Sequence, residues 1–113
     1  MQINQFKIEI FIPKEYVEKL GDKLSEANVG KIGNYDHCMA TNIVEGYWRP
    51  LEGSEPVEGE IGKVCHSEEC KIEMKCKREY VENALKIIRK VHPYEEPVIN
   101  VIPILNQLFE NNR

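Results

Sequence analysis

No stretch of the sequence approaches the roughly 18 consecutive apolar residues of a membrane-crossing helix, and the opening Met1-Gln2-Ile3-Asn4-Gln5-Phe6-Lys7 holds no signal-like apolar run. No membrane association is expected. Lys and Arg never gather into a dense cluster, and 15 of them against 19 Asp and Glu give a formal charge of −4. That balance argues against an electrostatic grip on nucleic acid. Serine is scarce: Ser25, Ser54 and Ser67 are the only ones, and none stands in a G-x-S-x-G elbow. Walker-type and dinucleotide-type glycine loops are missing as well. No nucleophile has an evident base beside it, so a non-catalytic protein is expected. Four cysteines without a secretory signal imply reduced thiols and a cytoplasmic setting. What remains is a chain of 113 residues, 42% hydrophobic, long enough to form a single domain over 1–113 around one core.

The sequence copies itself. Lys7-Ile8-Glu9-Ile10 returns as Lys71-Ile72-Glu73-Met74, and Lys14-Glu15-Tyr16-Val17-Glu18 returns as Arg78-Glu79-Tyr80-Val81-Glu82, both at an offset of 64 with no gap. A constant offset of this kind marks two copies of one supersecondary unit, about residues 5–45 and 69–105. Each copy starts as a strand. Phe6, Ile8, Ile10 and Ile12 alternate with Lys7, Glu9 and Phe11; Cys70, Ile72, Met74 and Cys76 alternate with Lys71, Glu73 and Lys75, so the even face is the buried one. Each strand runs into a helix. Pro13 suits a first helical turn, and the apolar stripes are Val17, Leu20, Leu24, Ala27 and Val81, Ala84, Leu85, Ile88, Val91. Gly30 and Pro93 mark the two helix ends. A second strand follows in each copy, over Tyr35 to Val44 and over Pro97 to Leu105.

The resulting order is βαββαβ, an α+β fold of the ferredoxin-like kind: a four-stranded antiparallel sheet with both helices on one face. Residues 46–62, with Gly46, Gly53, Gly59, Gly62, Pro50 and Pro56, form an inserted hairpin or loop. Leu105 to Arg113 reads as a short terminal helix. The uncovered sheet face carries Phe11, while Ile43 and Trp48 have no obvious place under two helices, so the chain is expected to oligomerise.

The cysteines read as packing. Cys65-His66-x3-Cys70-x5-Cys76 resembles a metal site on paper, but at offset 64 Cys70 and Cys76 fall on Phe6 and Ile12, which is how free cysteine behaves in a core. His37 and Cys38, adjacent in an expected strand, would point to opposite faces. In His92-Pro93-Tyr94-Glu95-Glu96-Pro97, two prolines stiffen a short link bearing an imidazole, a phenol and two carboxylates. His92 matches Asn28 of the first copy and is suited to capping the last helix carbonyls. The lone tryptophan stands beside Arg49, a pair of residue types that dominate recognition surfaces.

Three blocks carry a resemblance: Gly33-Asn34-Tyr35-Asp36-His37-Cys38, then Gly46-x-Trp48-Arg49-Pro50-Leu51-Glu52-Gly53-Ser54-x-Pro56-x-x-Gly59-x-x-Gly62, then His92-Pro93-Tyr94-Glu95-Glu96-Pro97. In that order they resemble the domain inserted in the YqfO-type, Nif-three-like di-metal proteins, a domain also found alone as a short protein. The His92-Pro93-Tyr94-Glu95 element is also similar to the CutA divalent-cation-tolerance proteins, trimers related in fold to PII signalling proteins. The resemblance implies a PII/CutA-like fold and a homotrimer. It brings no metal ligand to this sequence, because the di-metal site of the parent family belongs to the flanking domains. The first functional reading is a non-catalytic module that binds a small ligand or partner at subunit clefts near Tyr35, Asp36, Trp48, Arg49, His92, Tyr94 and Glu95. The second is a divalent-cation binder using Asp36, His92, Glu95 and Glu96, with no other cofactor. A third is an accessory to a di-metal hydrolase-like system.

Overall fold

The computed structural model describes residues 1–110. Strand β1 (Gln5–Ile12) leads through a 3-10 turn at Lys14–Tyr16 into helix α1 (Val17–Glu26). Strands β2 (Ala40–Trp48) and β3 (Cys65–Lys77), helix α2 (Arg78–Val91) and strand β4 (Ile99–Pro103) follow. The sheet order is β2-β3-β1-β4, and every neighbouring pair is antiparallel. This is the expected βαββαβ arrangement. The two repeated strands pair with each other at its centre, with Ile8 opposite Met74, Ile10 opposite Ile72 and Ile12 opposite Cys70.

That register puts the even residues of both strands under the helices. Ile8, Ile10, Ile12, Cys70, Ile72, Met74 and Cys76 are buried against Leu20 and Leu24 of α1 and Ala84 and Ile88 of α2. Phe6, expected inside, is only half-buried at the strand's start, where the Arg78 guanidinium lies 5.3 Å from its ring centre. Cys70 and Cys76 pack as apolar residues; burial, helped by nearby Glu79, pushes the Cys76 thiol up to about 11.

The opposite face is not the apolar surface the alternation left open. Lys7 lies 2.7 Å from Glu73 and 3.7 Å from Glu9, and Lys71 lies 3.6 Å from Glu9. These pairs satisfy the middle of that face with charge, so an apolar sheet face is not what would drive assembly. Ile43 pairs across from Cys70 and so shares the helix side of the sheet, but on the edge strand, where it is 49% exposed.

Four boundaries differ from expectation. The strand expected from Tyr35 begins only at Ala40, because His37 takes a left-handed φ of 57° that no strand accommodates. The inserted segment is shorter than 46–62, because Gly46 to Trp48 continue β2 and pair with Ser67 to Cys65 of a lengthened β3. Strand β4 is confined to Ile99–Pro103, and the terminal helix is reduced to a 3-10 turn at Asn106–Leu108; Asn111 to Arg113 of the expected helix lie outside the described residues.

The two copies solve one backbone problem differently. The carbonyl of Lys75 in β3 accepts the Gly30 N–H at 2.8 Å. Its counterpart 64 residues earlier, the carbonyl of Phe11 in β1, accepts from the His92 side chain instead, at 2.6 Å. Positive φ at Asn28 and Gly30 turns the backbone inward in the first copy. In the second, His92 is extended (φ −65°, ψ 130°) ahead of Pro93, which has no N–H, and the imidazole reaches back in place of the backbone.

Ile72→Asp should abolish the cooperative thermal transition, since an unpaired carboxylate in this core costs several kcal/mol. Glu73→Gln, which removes one surface ion pair, should be nearly neutral. Circular-dichroism melts of the two variants check the strand register, and the reverse order of effects would refute it. In the same assay EDTA should leave the melting temperature unchanged, as befits thiols that pack rather than ligate.

Candidate functional site

Beyond Trp48 the hairpin loop folds back on itself. The Gly62 N–H donates to the Pro50 carbonyl at 2.7 Å, and Trp48 Nε1–H donates to the Glu58 carbonyl at 3.1 Å. Gly59 makes this approach feasible: its φ is 105°, and a Cβ there would sit 2.7 Å from Cys65 Sγ and 3.2 Å from Trp48 Nε1. The α2–β4 link approaches from the other side. His92, 6% exposed, anchors it. The Tyr94 N–H can only donate, so Nδ1 accepts it at 3.2 Å, and the Phe11 carbonyl can only accept, so Nε2 carries the proton. His92 is thus a neutral imidazole with both nitrogens engaged, and burial lowers its pKa despite the bond to Phe11. Its ring lies 4.9 Å from that of Tyr94. Finally, the Glu55 N–H donates to Glu95 Oε1 at 3.0 Å and ties the hairpin loop to the link.

Between them lies a cleft of about 370 Å³, lined on its apolar side by Tyr47, Trp48, Pro50, Leu51, Pro56, Val57, Tyr94 and Val98. Its polar lining is Arg49, Ser54, Glu58, Glu69, Glu95 and Glu96. Glu69 projects from the sheet face opposite the helices and lies over Gly46, where a Cβ would collide with its carboxylate. Burial, then the charge of Glu58, raises the Glu69 pKa. The Tyr94 phenol is raised too, by burial first and then by the charges of Glu69, Glu58 and Glu15.

The residues expected to form one site divide into two groups. Trp48, Arg49, Tyr94, Glu95 and Glu96 meet at the cleft, and His92 stands behind it as an anchor. Its side chain does not cap α2: only its backbone N–H bonds the helix, at Ile88. Tyr35 and Asp36 are not in the cleft lining. They belong to the α1–β2 connection, where His37 Nδ1 meets Asp36 Oδ1 at 2.9 Å and Ser25 Oγ at 3.0 Å, and His37 Nε2 faces Asp22 Oδ1 at 3.3 Å. Asp36, His92, Glu95 and Glu96 therefore do not make one ligand set within the chain. Among the described residues no group of three His, Cys, Asp or Glu could hold a metal ion. Glu58 and Glu69 were not signalled by the sequence. Glu69 alternates like the solvent-facing Glu73, and only its position beside Gly46 across the hairpin reveals the difference.

The two histidines should titrate in opposite directions around the ordinary value of 6.5. His37 is raised, chiefly by its contact with Asp36, so its contribution to stability is full below 6.5 and fades as pH climbs through its folded-state pKa. His92 is lowered, so its contribution is present above 6.5 and is lost as pH falls through its folded-state pKa. An NMR titration of the ring protons checks both directions, and Asp36→Asn should bring the His37 value down.

The model of the CutA1 divalent ion tolerance protein family matches residues 61–110. A GTP cyclohydrolase 1 type 2 homolog of Staphylococcus aureus strain COL is 34% identical over 99 residues, covering 88% of this chain. The counterpart from Staphylococcus epidermidis ATCC 12228 is 33% identical over 97 residues, or 86% of the chain. The chain spans only 27% and 26% of these two relatives. Among solved structures, a Bacillus cereus protein related to NIF3 aligns with a TM-score of 0.79 at 29% identity, over 90% of this chain and 26% of that one. The periplasmic divalent cation tolerance protein CutA of Archaeoglobus fulgidus aligns with a TM-score of 0.68 at 21% identity, over 88% of this chain and 83% of that one, which speaks for the fold. The chain has the fold of the CutA proteins, and in sequence it is similar to a segment of GTP cyclohydrolase 1 type 2 homologs and of a protein related to NIF3.

Proposed function

We propose that this domain is a non-catalytic binding module whose cleft between the hairpin loop and the α2–β4 link takes a small ligand, and that it works as a homo-oligomer. The observation that carries the reading is the preformed cleft itself. Apolar and aromatic walls with a few convergent polar groups are the usual make-up of a small-molecule site. The bond from the Glu55 N–H to Glu95 holds its two sides together without a ligand.

The non-catalytic part rests on geometry. Ser25, His37 and Asp36 are in contact, yet Ser25 and Asp36 share one ring nitrogen, Nδ1, while Nε2 faces the Asp22 carboxylate. A nucleophile–base–acid relay needs the hydroxyl and the carboxylate on opposite nitrogens. Ser54 Oγ–H donates to the Leu51 carbonyl at 2.7 Å, and among the described residues no histidine bonds it. An accessory role within a larger di-metal system is the second reading, supported by relatives about three times as long, of which this chain matches one segment.

Assembly has a physical motive in the sheet edges. Strand β2 is a nine-residue edge with an unbroken register and neither Lys nor Pro, and β4 is the free edge on the other side. An unguarded edge of this kind pairs readily with another strand. Joining β2 of one copy to β4 of the next, and closing the ring, leaves no edge exposed. The resemblance to CutA proteins favours three copies.

Trp48 is the only tryptophan, so its emission reports cleft occupancy. A screen of small polar and aromatic compounds and divalent ions should yield ligands that raise the melting temperature and shift that emission together. Stabilisers that leave Trp48 unperturbed would place the binding elsewhere. Light scattering should give about three times the 13.2 kDa chain mass. Ile43→Lys, which charges the β2 edge, should move the species toward monomer with the far-ultraviolet spectrum intact, and a wild-type monomer at tens of micromolar would refute the assembly.

A further inference from the structure

We infer that the cleft selects an organic cation, an ammonium or guanidinium head on an apolar body, and that the Glu69 carboxylate is its anchor. This rests on the reading of the cleft as a ligand site.

The argument starts from an imbalance on the sheet face opposite the helices. Every other carboxylate of the central strands on that face is paired: Glu73 holds Lys7 at 2.7 Å, and Glu9 lies within 4 Å of Lys7 and Lys71 and accepts from Asn100 at 3.3 Å. Glu69 is four residues before Glu73 on the same face of β3, half-buried, with neither a hydrogen bond nor an ion pair among the described residues. A carboxylate partly removed from water and left without a cation is costly, and Glu58 beside it raises that cost. Arg49 also lines the cleft, but it forms no ion pair within 4 Å among the described residues, so Glu69 stays uncompensated.

The surroundings specify what kind of cation fits. A bare or hydrated metal ion needs several converging oxygen, nitrogen or sulfur donors. Here one Glu95 oxygen is already engaged by the Glu55 N–H, the side chains of Pro50, Pro56 and Val57 offer no donors, and among the described residues no three His, Cys, Asp or Glu converge on a metal site. Trp48 and Tyr94 offer aromatic faces, and the Trp48 indole is fixed by its bond to the Glu58 carbonyl. Aromatic faces attract ammonium and guanidinium groups, most strongly in partly desolvated sites, and the apolar walls take the rest of an organic ligand. Gly46 completes the arrangement by leaving the space that the Glu69 side chain occupies.

The test uses three probes of one size that differ in charge: phenethylamine, 2-phenylethanol and phenylacetate, titrated at neutral pH with Trp48 emission as the readout. The amine should bind about tenfold or more tighter than the alcohol, and the acid weakest of all. Glu69→Gln should remove most of the amine's advantage and leave the alcohol unchanged, whereas Glu73→Gln should alter neither. Gly46→Ala, which displaces the Glu69 side chain without touching its charge, should give the same selective loss and guards against a folding artefact in the first variant. An amine bound no better than the alcohol, or unaffected by both Glu69→Gln and Gly46→Ala, overturns the cation assignment while the cleft reading stands. Silence of Trp48 toward all three probes overturns both.

Discussion

The antiparallel pairing of β1 with β3 is the contact on which the rest of the molecule hangs. It joins the two copies of the repeat face to face, with Ile10 opposite Ile72, so that one alternation of apolar side chains serves both strands. A slip of one residue would turn the isoleucines out and bring the lysines and glutamates in. Both helices then have a single surface to cover, and Leu20, Leu24, Ala84 and Ile88 close it. The same pairing lays out the ion pairs of the opposite face, because Lys7, Glu9, Lys71 and Glu73 follow the parity of the core in reverse.

The cleft depends on that centre at one remove. His92 fixes the α2–β4 link to β1 through the Phe11 carbonyl, and β3 carries the hairpin that supplies the other wall. A buried neutral imidazole, with one nitrogen giving and the other accepting, serves as a two-sided fastener at little electrostatic cost. The site is thereby walled by two loops hung on a rigid sheet, which itself contributes Tyr47, Trp48 and Glu69. Glu69, reaching over Gly46 from the sheet itself, is its most firmly placed charge.

The fold was largely legible because it is encoded locally and twice. The period-two alternation, the helical stripes and the offset of 64 are each contained in a short window, and each copy checks the other. The buried cysteines were read correctly by that internal comparison. The start of β2 was not, because left-handed His37 is not a glycine and announces no turn. The site was legible only in part. Trp48, Arg49, Tyr94 and Glu95 could be named, since they stand in conspicuous short blocks. Glu58 and Glu69 could not, because what distinguishes Glu69 from Glu73 is its place beside Gly46 across the hairpin, a property of register. The role of His92 escaped for a like reason: its partner, Phe11, is 81 residues away. Tyr35 and Asp36 were grouped with the cleft on the strength of motif alone, and the fold sends them to the other helix end.

The unequal treatment of two equivalent carbonyls, at Phe11 and Lys75, has a consequence for how such a chain comes to hold a site. A duplicated unit starts with two identical helix exits, and symmetry offers no reason for either to become special. Once the second exit hands its hydrogen bond to an imidazole, its backbone is released from turning inward and leaves as an extended prolyl segment. The first exit, closed by Gly30, spends its loop on its own scaffold. Duplication thus supplies a spare: one copy meets the structural demand with its backbone, and the other, relieved of it by a single side chain, has chain to lend to recognition.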